Sequence, residues 1–252
     1  MKEVMNMMID THCHLSNEDY DNLDVVIKHM DGNKMIISGA DQKMNLEVLD
    51  MIKKYDNIYG TIGYHPEELD DYDISWLEEH IHDSKIVGIG EIGLDYHNGK
   101  DNADKQKECF IEQIELAKKY HMPIVIHSRD AAEDTLKILK EHLGDNLAVM
   151  HCYSYSVEIA RELMKMNISL GIGGVVTFKN AKTLVDVVKE IPLDRLVLET
   201  DSPYLTPEPL RGTKNEPYNI YYVGLKIAEI KNISLDEVFK TTTENAQRIY
   251  KF

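Results

Sequence analysis

Pro123-Ile124-Val125-Ile126-His127 and Leu147-Ala148-Val149-Met150-His151 flank a stretch, Ala131 to His142, whose apolar residues recur at helical spacing. Each flanking run is apolar throughout, as a strand covered on both faces must be. Two strands joined through a helix of this length run parallel, because the helix carries the chain back to the starting edge. Both histidines then stand at the same edge. Six further β-type runs extend the pattern: Met7 to Thr11, Lys34 to Ser38, Ile58 to Gly63, Ile86 to Gly90, Ile168 to Ile172 and Arg195 to Glu199. Helical periodicity is clearest over Asp104 to Tyr120, Ser156 to Met166 and Ala181 to Lys189. Two more helices are expected at Asn219 to Ile230 and Leu235 to Tyr250, the second opened by Ser234 as N-cap with Glu237 three residues on. Strand followed by helix, eight times, points to an α/β fold, a (β/α)8 TIM barrel. Residues 1–252 are expected to form one domain, since the chain shows no repeat, low-complexity tract or linker. The Pro-rich segment from Ser202 to Pro217 is a long loop after the eighth strand, where barrels often carry substrate contacts.

Composition narrows the classes of partner. The 252 residues are 43% hydrophobic and 29% charged, enough to bury a full core. Asp+Glu 44 against Lys+Arg 28 gives a formal charge of -16, which argues against broad electrostatic contact with a nucleic-acid backbone. A polyanionic substrate would have to be held locally and weakly. No run approaches membrane-spanning length, and the apolar stretch at Met7 to Ile9 is too short for a secretory signal, so a cytoplasmic protein is expected. Cys13, Cys109 and Cys152 are scattered and odd in number, and are read as reduced thiols.

Residues of metal-binding type gather at the strand ends. His12 and His14 alternate with Cys13, so both imidazoles project to one face while the thiol points away. A lone strand histidine is usually structural; a His-x-His at a strand end favours metal ligation. Gly88-Ile89-Gly90-Glu91-Ile92-Gly93 fits a dinucleotide fingerprint, but Glu91 would aim a carboxylate at the pyrophosphate. The following Leu94 to Gly99 is turn-like, where that motif needs a helix N-terminus. The better account is a strand whose glycines keep the backbone close to a metal centre, with the two oxygens of Glu91 able to bridge two ions. His127 and His151 each could be satisfied core histidines; at equivalent ends of neighbouring strands they favour ligation. Asp201, just before a Ser-Pro turn, can reach an ion and its water. Its bland alternative is a turn aspartate. His65 ends the third strand, placed to hold substrate or developing charge, and is the fallback base should Asp201 not serve. His29, His80, His82, His121 and His142 fall on helical or loop segments and are taken as surface residues.

The segments Ile9-Asp10-Thr11-His12-Cys13-His14-Leu15, Gly90-Glu91-Ile92-Gly93-Leu94-Asp95-Tyr96, Ile126-His127-Ser128-Arg129-Asp130-Ala131, Thr177-Phe178-Lys179-Asn180, Glu199-Thr200-Asp201-Ser202-Pro203-Tyr204-Leu205 and Arg211-Gly212-Thr213-Lys214-Asn215-Glu216-Pro217 together resemble the TatD family of metal-dependent deoxyribonucleases. The match runs from the first strand to Thr243-Glu244-Asn245-Ala246 in the last helix. The resemblance implies an amidohydrolase-type barrel, two divalent ions and hydrolysis of DNA phosphodiesters, often from an end. It also implies that His12, His14, Glu91, His127, His151 and Asp201 bind metal. The sequence departs from the family where Tyr153-Ser154-Tyr155-Ser156 replaces a Phe-Ser-Gly-type turn and Ser16 an aspartate.

From charge placement, Asp201 is expected to orient water and take its proton beside Glu91, with Arg129, Arg211 and Lys214 gripping phosphate near the barrel mouth. Ordinary surface charge is the equal alternative for each cation. Histidine-rich ligation suits Zn, Mn, Fe or Ni better than Mg, although the family is commonly assayed with magnesium. The expected partner is weakly bound single-stranded DNA, acted on by a monomer. The rival substrates are a small amide or lactone and an aminoacyl-tRNA ester, which the same metal-activated water attacks equally well.

Overall fold

The computed structural model describes residues 7–252; residues 1–6, which the single-domain reading takes in, lie outside the described residues. Eight strands, β1 (Ile9–Cys13), β2 (Lys34–Ser38), β3 (Ile58–Ile62), β4 (Ile86–Asp95), β5 (Ile124–Arg129), β6 (Ala148–Met150), β7 (Ile168–Ile172) and β8 (Leu196–Leu198), form one sheet in sequence order. Every neighbouring pair in it is parallel. Between and after them lie α1 (Leu23–Lys28), α2 (Gln42–Lys54), α3 (Ile74–His80), α4 (Ala103–Lys119), α5 (Ala132–His142), α6 (Val157–Met164), α7 (Lys182–Glu190), α8 (Ile220–Lys231) and α9 (Leu235–Tyr250). The molecule is a (β/α)8 barrel.

The inner face of the barrel changes character along the strands. Ile9, Ile36, Val87, Val125, Val149 and Val197 make an apolar floor, which Ala246, Ile249 and Tyr250 of α9 plug from below. Two residues further along, and so on the same face, stand Ser38, His127, His151 and Glu199. One register therefore supplies both the core and the site. The outward-facing residues, Cys13 among them, pack under the helices in a second and larger cluster. At about 1.5–3 kcal/mol for each fully buried aliphatic side chain, this double layer carries most of the stability.

Side chains help to close the seam between β1 and β8. Thr11 Oγ1 donates to the Leu198 carbonyl at 2.9 Å. The Asp10 carboxylate accepts from Thr200 N–H at 3.0 Å and from Thr200 Oγ1 at 2.6 Å. Beyond them, Asp201 N–H donates to His12 O and His14 N–H to Ser202 O. The seam thus fixes His12, His14 and Asp201 relative to one another.

β4 departs from the sequence expectation. It does not end at Gly90 in a turn but runs ten residues to Asp95, buried along its whole length. Its register with β5 shifts between Ile89 and Ile92. Gly93 makes the continuation feasible: its φ is +150°, and a β-carbon there would collide with the carbonyl oxygen of His127. Residues 94 and 95, turn-like in sequence, pair with Ser128 and Arg129 instead. At the other end of the chain, Ser234 Oγ accepts from Glu237 N–H at 3.1 Å and caps α9 as expected. Among the described residues no helix is long and apolar enough to cross a membrane.

Candidate metal centre

Glu91 is the hub of the site. Its carboxylate, 4% exposed, points its two oxygens at different imidazoles. Oε1 lies 2.8 Å from His127 Nδ1 and 2.8 Å from His151 Nε2. Oε2 lies 3.4 Å from His12 Nε2 and 3.9 Å from His14 Nε2. Asp201 Oδ1 stands opposite, 3.7 Å from His12 Nε2 and 3.6 Å from His14 Nε2. The six residues expected to bind metal are therefore brought together.

The far nitrogens of His12, His14 and His127 have close polar partners, while that of His151 has no hydrogen-bond partner among the described residues and only faces a carboxylate. His12 Nδ1 is 3.0 Å from Ser38 Oγ, and His14 Nδ1 donates to the Ser38 carbonyl at 3.0 Å. His151 Nδ1 lies 3.5 Å from Glu199 Oε1, an oxygen that also accepts from Cys152 N–H at 2.6 Å. His127 is turned the other way: its Nε2 meets Asp95 Oδ2 at 2.8 Å, leaving Nδ1 toward Glu91. Asp95 is itself held by His97 N–H at 2.8 Å. Such outer contacts fix ring orientation and raise ligand basicity. Ser38, Asp95 and Glu199 were not singled out from sequence. Ser38 and Glu199 end strands as the expected ligands do, which is the signal that could have found them.

The electrostatics are those of a cation site. Burial works against the charge on Glu91, yet His151 and His12 hold its carboxyl well below the usual range. Burial likewise opposes ionisation of Asp201, and His14, His151 and His12 outweigh it. Burial also disfavours a charged His151, but Glu91 and Glu199 raise that ring well above its ordinary value. His127, facing Asp95 and Glu91, and His14, facing Asp201, are raised against burial in the same way. Burial, with the neighbouring His151 and His14 rings, drives His12 down against the pull of Glu91. Two carboxylates that stay ionised inside a barrel draw positive charge to the rings around them, a demand that divalent cations meet. Three sets of side chains, His12–Glu91–His151, His12–His14–Asp201 and His65–Glu91–His127, each bring their ligand-type atoms within 4.8 Å of one another. Imidazole nitrogen with carboxylate oxygen is a donor set that fits Zn- and Mn-type ions.

A cavity of about 520 Å³ opens beside Glu91, His14 and His65. Apart from Glu91, its walls carry Glu18, Asp19, Asp41, Glu47, Glu67 and Glu68, against Lys43 as the one cation among the described residues. Lys43 is itself paired with Glu18 at 2.9 Å. The expected phosphate-gripping residues do not line this cavity. Arg129 is exposed at the end of β5, Arg211 stacks on Phe178 with its guanidinium 4.0 Å from the ring centre, and Lys214 is tied to the Asp19 carbonyl. Of the two departures from the family pattern, Ser16 lines the cavity. Tyr155 sends its hydroxyl to Ser128 Oγ at 2.9 Å and braces the loop that follows His127.

The family described as TatD related DNase matches residues 9–251 of the chain. The chain belongs to the TatD family. It is 47% identical over 253 residues to the uncharacterized metal-dependent hydrolase YabD of Bacillus subtilis, covering 97% of this chain and 99% of that one. It is 34% identical to the uncharacterized metal-dependent hydrolase YcfH of Escherichia coli, covering 96% of this chain and 95% of that one. The crystal structure of YJJV, a TatD homologue from Escherichia coli, superposes with a TM-score of 0.89 at 27% identity, over 97% of this chain and 98% of that one. As a TatD-family protein the chain is a metal-dependent hydrolase, and the named relatives leave its substrate open.

Proposed function

We propose that this hydrolase cleaves phosphodiester bonds at single-stranded DNA ends, with two divalent ions held by His12, His14, Glu91, His127, His151 and Asp201. The observation that carries the reading is the division of Glu91: one oxygen faces His127 and His151, the other faces His12 and His14. Six donors exceed what one tetrahedral ion takes, and a carboxylate with a ring pair on each side suits a shared pair. Divalent ions in that position supply Lewis acidity and ready a water for attack at neutral pH.

The protein's own groups have separate tasks. Asp201, 16% exposed in its side chain and held ionised, is placed to orient the attacking water and accept its proton. Asp95, Ser38 and Glu199 keep the rings aimed. The acidic walls disfavour a run of phosphates in the cavity, so the portion of substrate beside His65 carries few charges of its own. A chain end meets that condition better than the middle of a strand. Arg129 and Arg211 at the mouth are left to meet phosphates outside the cavity.

The test is hydrolysis of an end-labelled single-stranded oligonucleotide, run beside ester and lactam panels with Mg, Mn and Zn. Metal-dependent shortening of the oligonucleotide, abolished in Glu91→Ala, supports the reading. Turnover confined to the carbonyl panels would replace it with amide or ester hydrolysis.

A further inference from the structure

His65 differs from the other four histidines of the site in what its outer nitrogen meets. The anchoring groups of His14 and His127 are a carbonyl and a carboxylate, which accept hydrogen bonds and leave the inner nitrogen with its lone pair. The Ser38 hydroxyl beside His12 can accept too, and a carboxylate oxygen lies nearest the outer nitrogen of His151. At His65 the polarity is reversed. The backbone N–H of Glu67 donates to His65 Nδ1 at 3.2 Å. A ring nitrogen that accepts cannot carry a proton, so the imidazole is neutral and its proton sits on Nε2.

The backbone holds this arrangement. His65 N–H donates to Ala40 O at 2.8 Å, and Glu68 N–H donates to His65 O at 2.9 Å, so the turn that presents Glu67 N–H is pinned at both ends. Nε2 faces inward, 3.8 Å from Glu91 Oε1, and the ring lines the cavity with a side chain 12% exposed. For Nε2 to ligate a metal or take a proton from water, the ring proton would have to move to Nδ1. Two N–H groups would then point at each other across 3.2 Å.

We propose that His65 is a catalytic hydrogen-bond donor, its Nε2–H directed at an oxygen carried by the substrate's reacting atom, and that it is neither a metal ligand nor the base. This removes the His65–Glu91–His127 set as a metal-binding alternative and withdraws His65 as a substitute base for Asp201. The proposal deepens the hydrolase reading but does not depend on phosphorus, since a phosphoryl and a carbonyl oxygen both gain charge during attack by water.

Two measurements need no substrate. Long-range 15N–1H NMR of the histidine rings, on metal-free and zinc-loaded protein, should find His65 protonated at Nε2 in both forms. Metal analysis of His65→Ala should match the parent. On whichever substrate is turned over, His65→Ala should lose about 100-fold in kcat, the scale for removing one donor to developing charge. His65→Gln, whose amide N–H reaches the Nε2 position, should recover at least part of that loss, and His65→Asn, which reaches only the Nδ1 position, should not. A proton on Nδ1, loss of metal in His65→Ala, or equal activity of the Gln and Asn variants each overturns the proposal. Failure on oligonucleotides with success on esters overturns only the phosphodiester reading.

Discussion

Glu91 shows how much of this site rests on single atoms. With its oxygens split between two ring pairs, truncation should remove more than one contact: Glu91→Ala is expected to drop bound metal from about two equivalents to one or none, with nearly all activity lost. Metal analysis after loading in chelator-free buffer checks it, and a single equivalent in the parent would rule out the shared pair. Asp201→Asn keeps shape and one oxygen but cannot take a proton, so kcat should fall by about 100-fold or more with metal retained. Asp95→Ala removes the acceptor that turns His127, and metal affinity should weaken by about 10- to 100-fold in a chelator competition. The raised rings set a pH dependence. In the metal-free protein His151 and His127 hold protons above their ordinary range, so binding a cation must expel those protons. Affinity should therefore fall as pH is lowered and rise until the raised values are passed, as titration calorimetry in several buffers would show through proton release.

At the scale of elements, β4 and the β1–β8 seam carry the demanding local geometry. Gly93 has a φ open to glycine and no room for a methyl group against His127 O, so Gly93→Ala should destabilise the fold by about 1–3 kcal/mol or more, read as a lower thermal midpoint. Because the same strand carries Glu91 and Asp95 and Gly93 pairs with His127 on β5, metal binding should weaken with it. Ser234→Ala removes only the cap of α9 and should cost about 1 kcal/mol without touching the metal count. The elements were unevenly legible. β2 and β7 stand where their apolar runs place them, and α9 follows its cap and period to the residue. The far half of β4 was not legible, because Leu94 to Gly99 has turn composition and only pairing with β5 holds Leu94 and Asp95 extended.

At the scale of the molecule, charge decides how substrate is met. A chain of formal charge -16 whose cavity holds six further carboxylates around one lysine can neutralise few phosphates. The logarithmic salt slope of oligonucleotide binding should stay around -2 to -3, and a slope near those of basic DNA-binding domains would show that the contact surface lies elsewhere. Arg129→Ala should raise KM with a smaller change in kcat, since a mouth cation touches ground and transition state alike. The exposed position of Arg129 fits a contact of that kind, whereas Lys214, already tied to Asp19, should show less.

The sequence by itself determined the barrel and the proposed ligand set. Eight apolar runs alternating with helices leave few other ways to bury their surfaces, and a histidine or carboxylate at a strand end needs only the strand's period to be placed. Tertiary structure alone decided what each side chain meets. That His127 turns Nδ1 inward follows from Asp95, which lies 32 residues away in the chain. That the seam aligns Asp201 with His12 follows from Asp10 and Thr200, 190 residues apart. Which nitrogen of His65 bears the proton depends on a backbone N–H whose direction is set by the turn. Hydrogen bonds are short-range and directional, so their partners are fixed only once the chain has closed on itself.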